Sequence, residues 1–343
     1  MKKSIALIYG GEGCEREISI KSAENLASYI DGNQYKILPI EISKSGDWYL
    51  RKSVCEKKDG IPVYPVFVDG VSGFLANGAI IHIDGAIICL HGDFGEDGAV
   101  QGALKTAHIK YLGQEVITAA ITSDKAFTKL AAERLGIPTA KWELCVDEEP
   151  KSARLRAEKS VGYPMFIKPA RLGSSFGAHP VLSREDFDTA YLDAQSMGCG
   201  RVLIEELVDI SYELECALFD DGVRIISPNG KILSNGAFYD FEAKYSKDSN
   251  IEASALKAED GEKERAEAKR NSNLLADFIG LKYLSRIDFF VTADKRVIFN
   301  EINTIPGMTK TSLYPKLTEN LGMRQGEFIN RLIKEVTGND GNL

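Results

Sequence analysis

The spacing of hydrophobic positions changes several times along the chain. Ile5–Tyr9 is an unbroken apolar run that ends in Gly10-Gly11-Glu12-Gly13, and beyond it Ile18, Ser22, Leu26 and Ile30 share one face at helical spacing. These read as a strand, a glycine turn and a helix. Tyr35–Ile42 reads as a second strand. Gly85–Leu90 reads as a third, fully apolar strand, running into His91-Gly92-Asp93-Phe94-Gly95-Glu96-Asp97-Gly98 before a helix that begins near Ala99. Such alternation predicts a parallel sheet covered by helices.

Asp124 to Leu135 reads as a helix with Phe127, Leu130, Ala131 and Leu135 turned inward and Gly136 at its end. Gly136-Ile137-Pro138 looks like the opening of a second domain. It holds a strand Pro164–Pro169, a loop Ala170–Gly177, a helix after Ser183 and a strand Arg201–Glu206. The last third offers strands around Leu214–Phe219 and Val223–Ser227, then a polar stretch from Phe238 to Leu256 that is too long to be a simple connection. A charged helix from Gly261 to Phe278 follows and stops at Gly280. Arg286–Val291 and Arg296–Asn303 form a hairpin around Thr292-Ala293-Asp294-Lys295. Phe328, Ile329, Leu332, Ile333 and Val336 make the apolar face of a terminal helix. The expected class is α/β, turning to α+β in the C-terminal part.

Composition narrows the function. A chain of 343 residues is long enough for two or three domains, and 44% hydrophobic with 27% charged residues is ordinary for a globular protein. A formal net charge of -8 gives no bulk attraction to nucleic acid or to an anionic membrane. No apolar run approaches the roughly 20 residues needed to span a bilayer, and Met1-Lys2-Lys3-Ser4-Ile5 leads into a strand, not a signal peptide. Cys14, Cys55, Cys89, Cys145, Cys199 and Cys216 are scattered, as expected of reduced thiols in a cytoplasmic protein. His82, His91, His108 and His179 lack metal-ligand spacing.

Two familiar patterns fail on inspection. Gly11-x-Gly13 follows the first strand, but Arg16 stands where a dinucleotide fingerprint needs its third glycine. Gly173-Ser174-Ser175-Phe176-Gly177 fits the nucleophile elbow of α/β-hydrolases, yet the only later histidine is His179, too near to curl back onto Ser175. The same segment suits a flexible flap, rich in backbone N–H groups, that covers phosphates. No Walker A sequence is present.

The hairpin carries the chemistry. With a two- or four-residue turn, residues 288 and 299 pair, so Asp288 shares a face with Phe299, Glu301 and Asn303 while Arg286 sits opposite Glu301. Two carboxylates and an amide suit a hard cation such as Mg²⁺ on nucleotide phosphates. A three-residue turn would change this pairing. The alternative is a solvent-facing polar sheet side with an ordinary Arg286–Glu301 ion pair. Thr304-Ile305-Pro306-Gly307-Met308-Thr309 favours the metal reading, because its turn frees N–H groups that could hold an oxyanion. Lys168, ending a strand before the flap, and Lys125, in the first turn of its helix, are phosphate candidates.

With these residues in view, the chain resembles the D-alanine–D-alanine ligases of the ATP-grasp superfamily over nearly its whole length. The matching segments are Tyr9-Gly10-Gly11 with Glu15-Arg16-Glu17-Ile18-Ser19, Leu90-His91-Gly92 with Gly95-Glu96-Asp97-Gly98, Asp124-Lys125 and Lys168-Pro169. They continue through the flap, Tyr239-Asp240-Phe241-Glu242-Ala243-Lys244-Tyr245, Arg286-Ile287-Asp288 and Asn300-Glu301-Ile302-Asn303-Thr304. The resemblance implies a Rossmann-like domain over residues 1–122, a central ATP-grasp subdomain over 123–208 and a C-terminal one over 209–343. It implies that Glu15 holds the first D-alanine's ammonium in a hydrogen-bonded set with Ser174 and Tyr245, with His91 and Glu96 nearby. Lys125, Lys168, Lys244 and the Ser175 backbone would contact ATP phosphates, Glu213 the ribose, and Glu205 or Glu206 the adenine, with Phe290 and Asn300 also lining the nucleotide site. Asp288, Glu301 and Asn303 would hold two Mg²⁺ ions (or Mn²⁺). Arg286 and the Gly307 N–H would stabilise the tetrahedral intermediate, and Ser312 and Leu313 would meet the second substrate.

On this reading ATP phosphorylates one D-alanine and the amine of a second attacks the acyl phosphate, giving the dipeptide used in peptidoglycan synthesis. Substrates would be D-alanine and ATP, with no nucleic-acid or membrane partner, in a homodimer. Relatives that form D-alanyl-D-serine or D-alanyl-D-lactate share Phe176 and a segment like Ser45-Gly46-Asp47-Trp48-Tyr49. Tyr245 departs from the lactate-forming type, and Leu313 offers an apolar pocket with no partner for a hydroxyl, which favours D-alanine. A nucleotide-binding regulator without catalysis is the rival from another class. An acyl phosphate must be shielded from water, so the Phe238–Leu256 segment is expected to act as a lid. Tyr245→Ala is expected to raise ATP hydrolysis relative to dipeptide formation by about tenfold, on the scale of a lost hydrogen bond; unchanged coupling between phosphate and dipeptide would rule the lid out.

Overall fold

The computed structural model describes residues 2–56, 60–234, 251–255 (as backbone), 260–324 and 326–338. The first part of the chain gives β1 (Lys3–Gly10), α1 (Arg16–Tyr29), β2 (Tyr35–Ile42), β3 (Trp48–Leu50) and β4 (Ile61–Pro62). A meander of β5 (Tyr64–Val68), β6 (Val71–Ala76) and β7 (Ala79–His82) follows, then β8 (Gly85–Ile88), α2 (Ala99–Thr106) and β9 (Tyr111–Leu112). The main sheet has the order β4-β3-β2-β1-β8-β9. It is parallel across β2, β1, β8 and β9, as expected, whereas β3 and β4 extend it antiparallel on one edge. The strands between residues 43 and 84 were not legible in the periodicity because they are short and partly exposed.

The apolar run of β1 is covered on both faces, which is why it shows no alternation. Ile5, Leu7 and Tyr9 enter one core with Leu26 of α1, and Ala6 and Ile8 enter another with Val100 and Leu104 of α2.

The next part contains α3 (Val116–Ser123), α4 (Lys125–Arg134), β10 (Trp142–Val146), α5 (Pro150–Ser160), β11 (Met165–Pro169), β12 (His179–Val181), α6 (Arg184–Met197) and β13 (Arg201–Glu206). Its antiparallel sheet runs β10-β13-β11-β12. The face expected for α4 is half right: Ala131 is buried and Leu135 packs half-buried against the core, but Phe127 and Leu130 turn outward. Phe127 is 48% exposed and Leu130 is 51% exposed, while Ala126, Lys129, Ala131 and Ala132 are buried. The helix is rolled so that two lysines reach carboxylates across the cleft, and the Arg201 guanidinium stacks over the outward Phe127 ring at 5.9 Å.

The last part holds β14 (Ile210–Asp220), β15 (Arg224–Ser234), β16 (Ile251–Ala255), α7 (Glu262–Ile279), β17 (Tyr283–Thr292), β18 (Val297–Asn303), α8 (Leu313–Glu319) and α9 (Glu327–Gly338). Its antiparallel sheet runs β16-β15-β14-β17-β18. The stretch read as one polar loop from Phe238 to Leu256 thus contains a strand, β16, paired with β15. Lys244 and Tyr245 lie outside the described residues.

One core joins the two ends of the chain. Phe328, Ile329, Leu332, Ile333 and Val336 of α9 are buried with Ile5 and Leu7 of β1, and the same cluster takes in Phe219, Leu313, Tyr314 and Leu317. All six cysteines are free thiols, with Cys89, Cys145 and Cys216 buried. Among the described residues no helix is long and apolar enough to cross a membrane. Leu332, 0% exposed at the centre of the shared core, sets a test. Leu332→Ala is expected to lower stability by ~2–5 kcal/mol, seen as a lower urea midpoint. A loss below ~0.5 kcal/mol would show that α9 is not integral to the fold.

Candidate active site

A cleft of about 610 Å³ opens between the four-stranded and five-stranded sheets. A second hollow of about 350 Å³ adjoins it, and Lys125 and Glu301 line both. The acidic wall comes from β17 and β18, and its geometry differs from expectation in an instructive way. Thr292 N–H donates to the Arg296 carbonyl at 3.1 Å, so the loop is the three-residue Ala293-Asp294-Lys295, with Lys295 at φ +67°. Val291 then pairs with Val297 and Phe289 with Phe299. Continued unbroken, that register would put Asp288 opposite Asn300 and send Glu301 and Asn303 to the apolar face.

A β-bulge intervenes. The ladder shifts between Asp288 and Phe289, so Asp288 pairs with Glu301 and Arg286 with Asn303. The extra residue, Asn300, and its neighbour Glu301 both line the cleft. The pairing of 288 with 299 is therefore corrected, and Phe299 lies in the core against Phe289 at 5.9 Å, on the opposite face from the acids. The expected grouping of Asp288, Glu301 and Asn303 survives because the bulge compensates for the turn.

Arg286 does not pair with Glu301 across the ladder. Its guanidinium takes both Asp288 oxygens, with Nη2 at 2.8 Å from Oδ2, and approaches Glu215 at 3.4 Å. Burial alone would lower the Arg286 pKa, but Asp288 and Glu215 hold it well above its usual range. Asn303 Nδ2 donates to Asp288 Oδ2 at 2.9 Å.

Opposite this wall stand lysines. Lys125 Nζ is 3.4 Å from Glu301 and donates to the Leu172 carbonyl at 2.7 Å. The helix dipole disfavours a cation in the first turn, and Glu301 compensates for it, while Asp124 caps the helix by accepting from Ala126 N–H at 3.0 Å. Lys168 Nζ meets Glu205 at 2.8 Å and Asn300 Oδ1 at 3.3 Å. Glu205 is also held by Lys129 at 2.5 Å. Burial alone would raise the Glu205 carboxyl, but the two ammonium groups hold it at about 2. Glu206 instead accepts from the Lys141 backbone N–H at 3.0 Å. Glu213 and Phe290 pair across β14 and β17 and line the same cleft. In the flap, Ser174 and Ser175 take successive left-handed conformations, φ +52° and +59°.

The Ser174 hydroxyl donates to Glu15, which sits at the N-cap position of α1. A Cβ at Gly92 would lie 2.5 Å from the Glu15 carboxylate and one at Gly173 would lie 3.2 Å from it, so glycines are what let two loops close around this acid. Glu96 accepts from the Gly92 N–H at 3.1 Å and from the Ile305 N–H at 2.8 Å. Its carboxyl is pushed up to about 8 by burial, then by Glu15.

A buried relay fixes the Pro306-Gly307 turn. Met308 N–H donates to Ser22 Oγ at 3.2 Å, Ser22 contacts His91 Nε2 at 3.0 Å, and His91 Nδ1 meets the Ile305 carbonyl at 2.8 Å. A carbonyl can only accept, so Nδ1 carries the proton and Nε2 accepts from Ser22. Burial keeps the ring's pKa below its usual value, consistent with that neutral tautomer. Asn25 Nδ2 also donates to the Met308 carbonyl at 2.7 Å. Ser312 stands at the N-cap position of α8, but its hydroxyl turns back to accept from Thr309 N–H at 3.1 Å, and a Cβ on Gly307 would be 2.9 Å from that hydroxyl. Leu313 is buried beside it.

Sequence reading missed Lys129, Glu215, Ser22 and Asn25. The first two had a signal: Lys129 lies one helical turn from Lys125, and Glu215 lies two strand positions from Glu213. Ser19, Ser22 and Asn25 are polar residues inside the buried stripe of α1, a pattern that asks for partners.

Two family models cover the chain: "D-ala D-ala ligase N-terminus" over residues 4–114 and "D-ala D-ala ligase C-terminus" over residues 131–334. The chain is 35% identical to a D-alanine–D-alanine ligase of Deinococcus radiodurans over 97% of its own length and 98% of the relative's. It is 33% identical to that of Oceanobacillus iheyensis, with 97% and 95% covered. Among solved structures, the D-alanyl-alanine synthetase A of Vibrio cholerae matches with a TM-score of 0.86 at 30% identity, covering 98% of this chain and 99% of that one. The VanG D-Ala:D-Ser ligase of Enterococcus faecalis also matches at 0.86, with 28% identity and 98% and 100% covered.

The raised Glu96 carboxyl has a consequence for stability. The folded chain keeps this proton up to about 8, whereas an unfolded glutamate releases it near 4.5. Unfolding therefore releases a proton within that window, and the contribution of Glu96 is full below it and falls as pH rises through it. Relative to Glu96→Gln, the parent is expected to lose ~1–3 kcal/mol between pH 5 and pH 8, allowing for contact with the open cleft. Urea unfolding at several pH values measures the difference; parallel profiles would show that Glu96 ionises normally.

Proposed function

The chain belongs to the D-alanine–D-alanine ligase family, and from that premise we propose that it joins two D-alanines to D-alanyl-D-alanine through a D-alanyl phosphate, using ATP. The observation that carries this reading is the bulge at Asn300, which gathers Asp288, Glu301 and Asn303 on one face across the cleft from Lys125 and Lys168. The family is ATP-dependent, and its product feeds peptidoglycan precursor synthesis. The six-stranded sheet and the three-stranded meander fall in residues 1–122, the four-stranded sheet in 123–208 and the five-stranded sheet in 209–343, which supports reading these segments as the N-terminal domain and the two halves of an ATP-grasp.

Triphosphate is assigned to the cleft beside Lys125, Lys168 and the Ser175 backbone, with Glu213 on the ribose. Since Glu205 is committed to two ammonium groups, Glu206 is the better residue for the adenine end. Lys244 is assigned to the phosphates on the family pattern alone. Phe290 and Asn300 line the nucleotide's course.

The donor set fits Mg²⁺. Two carboxylates and an amide offer hard oxygens, a half-turn of the Asn303 amide presents its oxygen, and guanidinium and ammonium groups already sit against Asp288 and Glu301. Bound there, divalent ions would neutralise phosphate charge during transfer. The protein's own groups do the rest. Glu15, steadied by Ser174, holds the ammonium of the first D-alanine, with His91 and Glu96 fixing the loop behind it. Tyr245 is assigned to the same set on the family pattern.

The carboxylate of that D-alanine attacks the γ-phosphorus of ATP, the bond to the β-phosphate oxygen breaks, and ADP leaves. The second D-alanine then attacks the acyl carbon as its free amine, and the proton its nitrogen sheds on becoming an amide leaves with the phosphate. Arg286 and the Gly307 N–H meet the oxyanion, and phosphate departs as the peptide bond forms. Ser312 receives the second carboxylate, and the buried Leu313 beside it is assigned to the methyl side of that substrate on the family pattern. A cytoplasmic homodimer is proposed on the family pattern alone.

The likeness to a D-Ala:D-Ser ligase keeps D-serine as a second reading. Incubation with ATP, Mg²⁺ and equal D-alanine, D-serine and D-lactate, followed by mass spectrometry, decides between them. D-alanyl-D-alanine is expected to exceed the serine product by about tenfold or more, the discrimination an unpaired buried hydroxyl gives. A dominant serine product would overturn that assignment of Leu313. Phosphate release that D-alanine does not stimulate would favour a nucleotide-binding regulator.

A further inference from the structure

Lys129 is among the largest fully buried side chains, 1% exposed, yet it is a cation and touches no solvent in the cleft. It projects from α4 onto one Glu205 oxygen at 2.5 Å, while Lys168 takes the other at 2.8 Å. Lys168, unlike Lys129, reaches the cleft and touches Asn300 there. The three groups form a row of ammonium, carboxylate and ammonium with one surplus positive charge. A carboxylate shared with Lys168 alone would cancel that ammonium, and a cancelled ammonium attracts phosphate poorly.

We propose that Lys129 is a positioning residue for the nucleotide: by neutralising Glu205 from behind, it lets Glu205 orient Lys168 without consuming the charge that Lys168 offers to phosphate. Burial works to lower the Lys129 ammonium and Glu205 works against that, while Glu205 itself stays ionised. A fully buried ammonium that served only to fill space would be replaceable by an apolar chain of similar shape, often with a gain in stability. The position of Lys129 one turn along α4 from Lys125 sends the two lysines to different carboxylates, Glu205 and Glu301, on opposite sheets.

This inference rests on the nucleotide site proposed above. Its test is calorimetric binding of Mg²⁺-ADP and of adenosine to the full chain, to Lys129→Met and to the double variant Lys129→Met with Glu205→Gln. In the single variant the row is neutral. ADP affinity is expected to fall by about tenfold, the effect of one weakened charge-assisted hydrogen bond, with adenosine unchanged. In the double variant the row again carries one positive charge, and ADP affinity is expected within about threefold of the parent.

Equal losses for ADP and adenosine would indicate a collapsed pocket and overturn the proposal. So would an unchanged ADP affinity in Lys129→Met. If the single variant does not fold, the double variant, whose remaining charge, the Lys168 ammonium, faces the cleft, decides alone: an ADP affinity reduced tenfold would refute the charge count. Failure of both ligands to bind the unmodified chain would bring down the nucleotide site itself, and the inference with it.

Discussion

In an antiparallel ladder side chains alternate between faces, so one residue more or less moves everything beyond it to the other side. The cleft of this protein depends on how that rule is met between β17 and β18. The three-residue turn after Thr292 sets a register that buries Phe289 and Phe299 together and makes them a core pair. It would also turn Glu301 and Asn303 into that core, where unpaired charge is costly. Asn300 resolves the conflict as an inserted residue. The half of β18 near the turn serves the core, the half beyond serves the cleft, and the carboxylates end up opposite one another with Arg286 between β14 and β18.

Electrostatics follows from that placement. Glu15, Glu205, Asp288 and Glu301 are drawn into a confined space, and each has a hydroxyl, ammonium or guanidinium against it. The balance is kept by long side chains from other elements: Lys125 and Lys129 from α4, Lys168 from β11 and Arg286 from β17. Rolling α4 so that Phe127 and Leu130 face outward is the price of bringing its two lysines in.

How much of this was legible in the sequence depended on whether the signal was local. The apolar run of β1, the amphipathic terminal helix and the acids of the β17–β18 hairpin were legible because burial writes its own period into the chain. The bulge was not, since an asparagine in a strand looks like any polar position until its partner strand is known. Lys129 was passed over because a lysine in a helix is usually solvated, although its place one turn from Lys125 and its small neighbours Ala126 and Ala132 hint otherwise. The face of α4 was misread for the same reason: hydrophobicity suggested Phe127 and Leu130, whereas charge pairing across the cleft decided. The strands β3 to β7 and β16 are short or set in polar sequence, so their pairing comes from tertiary context.

The shared core of β1 and α9 bears on how the chain is made. Synthesis delivers β1 early, with Ile5, Leu7 and Tyr9 already committed to a face whose cover, α9, emerges at the far end of the described chain. Until that helix arrives, one side of the first sheet is an open apolar surface while the parts in between can complete their own cores. Nascent chains stalled before α9 should therefore be the ones that chaperones hold longest, and a lesion in α9 should be felt first in a sheet that left the ribosome long before it.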